Sequence, residues 1–215
     1  MRKAHTAATS RERTQASSRK RTQASWQICS SLLAYPDESL LDRLDLIRAA
    51  MADLPAPARA ALAPVVEHVA TTPLVQQQQD YVATFDLRKK CCLYLTWWVH
   101  GDTRNRGQAL VAFKTAYRDA GIRPPTTELP DHLAVVLEFA ATVDPDRGEW
   151  LLAEHRPALE LIRDALHKAG SPRAGVLDAV CESLPGPVQE AVTAARRLAA
   201  SGPPPTELVG LEGYR

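Results

Sequence analysis

From Ser25 onward, apolar residues recur at helical spacing almost without interruption, and the signals of strands and hairpins are scarce. No Asn-Gly or Asp-Gly dipeptide occurs, and no long run alternates apolar and polar residues. A chain so patterned can bury its apolar stripes only by packing helix on helix. The expectation is an all-α, single-domain bundle of roughly eight to ten helices.

The helices can be placed by their punctuation. Ser25 suits an N-cap for a helix with Trp26, Cys29, Leu32 and Leu33 on one face. Pro36 breaks that helix and Asp37 can cap the next, which carries Leu40, Leu44, Ile47 and Met51. Pro55-Ala56-Pro57 ends it, and Thr72-Pro73 opens another with Leu74, Gln78, Tyr81, Val82 and Phe85. Leu87–Val99 reads as one helix buried on most sides. Further helices are expected near 106–120, 131–143, 147–169, 173–184 and 187–200, with Pro157 kinking or splitting the third of these. Gly121, Gly170 and Gly202 fall where helix C-caps are wanted.

Charge divides the chain. Formal net charge is +1 overall, yet residues 1–24 hold seven Lys/Arg against Glu12, a net of +6 that leaves −5 for the rest. Those first residues are rich in Arg, Ser, Thr and Gln and lack an apolar period, so they read as a disordered basic tail. Within it, Arg13-Thr14-Gln15-Ala16-Ser17 recurs as Arg21-Thr22-Gln23-Ala24-Ser25, a duplication with no structural repeat behind it. Three segments follow: a tail over 1–24, a helical domain over 25–201, and an extended tail over 202–215 containing Pro203-Pro204-Pro205.

Composition excludes several functions. Four cysteines, with Cys91 and Cys92 adjacent and Cys29 and Cys181 alone, fit neither a disulfide framework nor a CxxC zinc site. Reduced, buried thiols of a cytoplasmic protein are the simplest reading. The longest apolar stretches fall far short of the roughly 18 residues a membrane span needs. The six histidines form no HExxH cluster, and there is no GxSxG, Walker-type or GxGxxG motif. A helical enzyme using Cys92 or His132 therefore lacks a base–nucleophile constellation. A nucleic-acid-binding regulator acting through the basic tail is the remaining alternative, although the acidic body shows no recognition-helix pattern.

Two segments resist explanation by packing alone. Tyr81–Gly107 combines Tyr81, Phe85, Arg88-Lys89-Lys90, and Tyr94, Trp97 and Trp98 with a charged link containing Asp102, Arg104 and Arg106 between two glycines. If helical, Tyr94 shares a face with Trp97 or Trp98, suiting either a core or a groove for an apolar helix. Asp102 is placed to cap the next helix and pair with Arg104 or Arg106. The second segment, Glu128-Leu129-Pro130-Asp131-His132-Leu133, leads to Glu138-Phe139. With Asp131 capping and Glu138 seven residues on, an acidic pair would flank an apolar ridge, as a basic amphipathic peptide would require. The plainer readings are core aromatics, a structural ion pair and a solvated glutamate.

At these segments the sequence resembles the nitrate reductase delta-subunit family, the NarJ chaperones, within the wider TorD-like group of redox-enzyme maturation chaperones. The resemblance lies in Tyr81-x-x-Thr84-Phe85-Asp86, Leu93-Tyr94-Leu95-Thr96, His100-Gly101-Asp102-Thr103-Arg104-x-Arg106-Gly107, Tyr117-Arg118-x-Ala120-Gly121 and Glu128–Leu133 with Leu137-Glu138-Phe139. The early Trp26-x-x-Cys29-Ser30-x-Leu32-Leu33-x-Tyr35-Pro36 is similar too, so the likeness spans roughly residues 25–185. It implies a single helical domain that binds the N-terminal segment of the nitrate reductase catalytic subunit. It further implies that the domain holds this subunit ready for molybdenum cofactor insertion and membrane docking. The chaperone itself needs no cofactor or metal; cofactor-delivery proteins are further implied partners. Carried over, the group's Asp-His motif falls on Asp131 and His132, with Glu138 following. Tyr81, Phe85, Tyr94, Trp97 and Trp98 would line the groove, and Asp102, Arg104 and Arg106 would shape its end.

Overall fold

A computed structural model describes residues 2–123, 128–186 and 188–204, with side chains from Arg13 onward except that of Val188. Among these residues the fold is all-helical, its only sheet-like feature being one isolated antiparallel bridge between Tyr94 and His132.

The first helix is longer than its apolar pattern suggests. α1 runs from Arg2 to Leu33, so Ser25 lies buried in mid-helix and caps nothing. The stretch expected to be disordered is helical here. No proline or glycine precedes Pro36, and Arg, Ala, Gln and Lys prolong a helix readily once a packed part has nucleated it. That packed part is Trp26, Ile28, Cys29, Leu32 and Leu33, all buried. Burying each large apolar side chain contributes about 1.5–3 kcal/mol. Upstream, residues 13–20 are exposed, tied down by an Arg19–Asp146 ion pair. Gln23 adds a hydrogen bond to the Ala141 carbonyl at 3.2 Å.

Asp37 caps as expected, accepting the Leu40 amide at 2.9 Å. The following stretch forms two helices rather than one, α2 (Glu38–Asp42) and α3 (Leu44–Met51), separated by Arg43. Pro55-Ala56-Pro57 closes this pair but also begins α4 (Ala56–Thr71), a helix the sequence pattern hides. Proline in the first turn gives up an amide that has no helical partner anyway, so the same residues that stop one helix can start another. α5 (Leu74–Tyr81) follows Thr72-Pro73.

Leu87–Val99 departs from expectation. Instead of one buried helix it contains a 3-10 turn (Lys89–Cys91), extended backbone and the short α6 (Trp97–His100), preceded by a π-turn at Val82–Asp86. The cause is a competing partner for its backbone. Leu95 donates to the Asp131 carbonyl at 3.1 Å and the Leu133 amide donates to the Leu93 carbonyl at 2.8 Å. These cross-links satisfy peptide groups that a helix would otherwise have paired.

The rest follows the sequence closely: α7 (Arg104–Asp119), α8 (Leu133–Thr142), α9 (Pro145–Glu154), α10 (Arg156–Lys168), α11 (Ala174–Ser183) and α12 (Val188–Ser201). The split between α9 and α10 falls at His155, with Pro157 in the first turn of α10. Gly121, Gly170 and Gly202 have positive φ angles at the helix ends. The described residues thus hold twelve α-helices, exceeding the expected eight to ten because long helices divide and α4 and α6 are added. From residue 205 the expected extended tail lies outside the described residues.

α8 lies at the centre, packed on α1 and α9, while α11 packs on α1, α4 and α10, and α12 covers α10. Two close approaches demand glycine: a Cβ on Gly148 would sit 2.3 Å from the Ala140 Cα, and one on Gly175 would sit 2.2 Å from the Ala61 carbonyl oxygen. Buried arginines close helix ends. Arg156 donates to the carbonyls of Cys181, Leu184 and Pro185, and Arg173 to that of Leu32.

Candidate functional site

The end of α1, the π-turn after α5, the extended segment around Leu93-Tyr94 and the start of α8 surround a cavity of about 400 Å³. Each wall has a local reason for its shape. The π-turn widens the backbone so that Phe85 turns inward beside Tyr81, their ring centroids 4.8 Å apart. Tyr81 anchors to the Leu33 carbonyl at 3.2 Å and meets Tyr35 edge-on at 5.3 Å. On the opposite wall the isolated bridge sets Tyr94 against His132, edge to face at 5.4 Å. Ser30 ties α1 to α8 by donating to the Ala134 carbonyl at 2.8 Å.

The rim is acidic. Asp86, Glu128 and Glu138 line the cavity, and among the described residues no lysine or arginine does. Glu128 is held in place, accepting the Tyr94 hydroxyl at 3.0 Å and the Leu129 amide at 2.9 Å. Burial and this carboxylate together push the Tyr94 phenol up to about 12, so it stays a donor. Burial lowers the affinity of His132 for a proton, against the pull of Glu128, Asp131 and Asp86. An apolar floor of four aromatic rings with three carboxylates at its edge can hold an amphipathic segment bearing positive charge.

Of the residues singled out by sequence, Tyr81, Phe85, Tyr94, His132 and Glu138 come together here. Asp131 does not. It is wholly buried, its carboxylate accepting the Thr96 amide at 3.1 Å and the Thr96 hydroxyl at 2.6 Å, with Arg106 3.7 Å away. It caps no helix, because α8 begins two residues later with His132 at the N-cap and no side-chain cap bond. Nor does it pair with Glu138, which is exposed.

Trp97 and Trp98 also lie elsewhere. Since α6 begins only at Trp97, after an extended Tyr94 and a turn at Leu95-Thr96, Tyr94 shares no helix face with them, and they line a separate cavity with Asp102. Asp102 does not cap α7, which has Thr103 at its N-cap, but it pairs with Arg106 at 3.2 Å, as the sequence allowed. Arg106 itself lies over the Tyr94 ring at 5.1 Å, supporting the groove wall from outside the cavity. Arg104 is exposed at the start of α7 and lines neither cavity. Asp86, Glu128 and Tyr35 are groove residues that pattern reading did not single out. Their signal was available only as membership in the Thr84-Phe85-Asp86, Glu128–Leu133 and Tyr35-Pro36 stretches, without any indication that these stretches meet.

The cysteine thiols are poorly placed to act as nucleophiles. All four cysteines are buried and free, and burial pushes Cys29 and Cys181 up to about 12 and Cys92 to about 11. Among the described residues no group of His, Cys, Asp and Glu could hold a metal ion, and no helix is long and apolar enough to cross a membrane.

Residues 51–176 match the family described as nitrate reductase delta subunit. The chain is 41% identical over 158 residues to the nitrate reductase-like protein NarX of Mycobacterium tuberculosis, covering 74% of this chain and 24% of that protein. It is 32% identical over 154 residues to the nitrate reductase molybdenum cofactor assembly chaperone NarJ of Escherichia coli, covering 70% of this chain and 65% of NarJ. The chain therefore spans about a quarter of the first relative and just under two thirds of the second. In fold it is similar to a redox enzyme maturation protein from Archaeoglobus fulgidus, with a TM-score of 0.55, 21% identity, and coverage of 74% of this chain and 91% of that one.

Proposed function

This chain belongs to the nitrate reductase delta-subunit family, and we propose that it is an assembly chaperone whose acid-rimmed aromatic groove clasps the N-terminal segment of a nitrate reductase catalytic subunit. The clasp keeps that subunit competent for molybdenum cofactor insertion and postpones its docking at the membrane. It operates in the cytoplasm and requires neither turnover nor a cofactor bound to the chaperone. The observation that carries this reading is the meeting of Tyr35, Tyr81, Phe85 and Tyr94 with Asp86, Glu128 and Glu138 around one cavity. The relatives named as molybdenum cofactor assembly chaperones support the same role.

Energetics suit transient holding. Three or four leader side chains buried in the groove would each contribute about 1.5–3 kcal/mol. Ordering a flexible leader into a helix removes about 2–5 kcal/mol. The net, at most about 10 kcal/mol, corresponds to a dissociation constant no tighter than roughly 50 nM, weak enough to release. Carboxylates at the rim add steering of a basic leader more than affinity.

The test is co-purification. Tagged chain recovered from cells making a nitrate reductase catalytic subunit should bring down its cofactor-free form and leave the mature enzyme behind. Recovery of neither form, or equal recovery of both, contradicts the proposal.

A further inference from the structure

The second cavity, of about 600 Å³, is floored by Trp97, Trp98, Leu161 and Ala165, and the groove reading makes no use of it. The last described residues arrive at its wall. Gly202, Pro203 and Pro204 line it, and Pro204 lies so close that a Cβ on Gly101 would come within 2.6 Å of its carbonyl oxygen. Eleven residues follow, Pro205-Thr206-Glu207-Leu208-Val209-Gly210-Leu211-Glu212-Gly213-Tyr214-Arg215.

We propose that the Trp97–Trp98 cavity is the docking site for the chain's own segment 205–215. Charge complementarity selects this occupant. Lys89 and Lys90 stand exposed at the cavity with no ion pair among the described residues, whereas Lys168 is already matched by Asp164 at 2.6 Å. The segment brings Glu207 and Glu212, interleaved with Leu208, Val209, Leu211 and Tyr214 for the indole floor. Reach is sufficient, since an extended chain advances about 3.3–3.6 Å per residue and Glu207 lies three residues beyond Pro204. Trp98 adds a polar requirement: its indole Nε1–H is buried without an acceptor, and a docked carbonyl or carboxylate would supply one. This inference concerns a different cavity from the groove and stands whether or not the groove binds a leader.

Zero-length carbodiimide cross-linking of the full chain, followed by mass spectrometry, tests it. The expected products join Lys89 or Lys90 to Glu207 or Glu212, with the Lys168–Asp164 pair as internal control. A one-to-one mixture of isotope-labelled and unlabelled chain should give these links within single molecules. Mixed-isotope links would instead assign the cavity to a second copy, and absence of the links beside a positive control would overturn the docking altogether. In a second arm, a chain ending at Pro204 should show red-shifted tryptophan emission that a synthetic 205–215 peptide reverses. The Lys89→Glu/Lys90→Glu variant of that chain should bind the peptide at least tenfold more weakly. Unchanged emission, or equal peptide affinity, overturns the proposal and leaves the cavity to an acidic segment of another polypeptide.

Discussion

Asp131 holds Thr96 at two points, taking its amide at 3.1 Å and its hydroxyl at 2.6 Å, and has no surface left for a ligand. The pair stands between the two cavities. Tyr94 projects into one and Trp97 into the other, so the carboxylate fixes the backbone from which both walls are built.

Asp131→Ala is therefore expected to act on stability first. It strands two buried donors and removes a neighbour of Arg106, a loss of about 3 kcal/mol. Thr96→Val should lose less, because the amide contact survives. Urea denaturation of both single variants and of the double variant checks this. A coupling energy near zero contradicts the arrangement.

The groove rim makes a contrasting prediction. Asp86→Lys and Glu138→Lys alter exposed carboxylates, so stability should change by no more than about 0.5 kcal/mol. Affinity for a basic leader peptide should fall about tenfold in the double variant at low salt, and the difference should shrink at high salt. Fluorescence anisotropy at two ionic strengths measures both effects.

Glycine substitutions separate close packing from open space. Gly175→Ala and Gly148→Ala push a Cβ into backbone at 2.2 and 2.3 Å, so each should cost about 1–3 kcal/mol or more. Gly107→Ala, in α7 with nothing within 4 Å, should stabilise by up to about 1 kcal/mol. Thermal melts of the three variants should therefore shift in opposite directions.

Acid should weaken the fold. Burial lowers the proton affinity of His68, His132 and His155, so the unfolded chain binds protons more readily than the folded one. Their contribution is intact above about pH 6.5, the ordinary histidine value, and is lost as pH falls below it. Denaturant midpoints at pH 7.5 and 5.5 should differ, and less so in His132→Gln. An undiminished difference in that variant removes His132 from the account.

Thiol chemistry gives a further check. With all four cysteines buried and their thiols shifted upward, folded protein at neutral pH should resist alkylation, and denatured protein should take up four labels. Rapid labelling of Cys92 in the folded state would reopen an enzymatic reading.

The helical frame was legible because it depends on local signals. Asp37, Thr72-Pro73, Pro157 and the glycines at 121, 170 and 202 each mark a helix boundary through their own backbone chemistry. Trp26, Leu32 and Leu33 show the buried face through spacing alone. What escaped depends on distant partners. The bridge between Tyr94 and His132 turns an apolar, helix-like run into extended backbone, and nothing in residues 87–99 reveals residue 132 beside them. For the same reason Asp131 reads as a surface cap and proves to be an interior strut. Tyr94 and Trp97, three residues apart, were expected on one helix face and occupy different cavities.

The central claim is that the Tyr81–Phe85–Tyr94 groove, and not the tryptophan cavity, receives the leader. Calorimetric titration of a nitrate reductase leader peptide into wild type, Tyr81→Ala/Phe85→Ala and Trp97→Ala proteins tests it most directly. Circular dichroism would confirm that each variant is folded. Wild type and Trp97→Ala should bind alike, and the groove variant should bind at least tenfold more weakly. Equal binding by all three, or loss confined to Trp97→Ala, would contradict it.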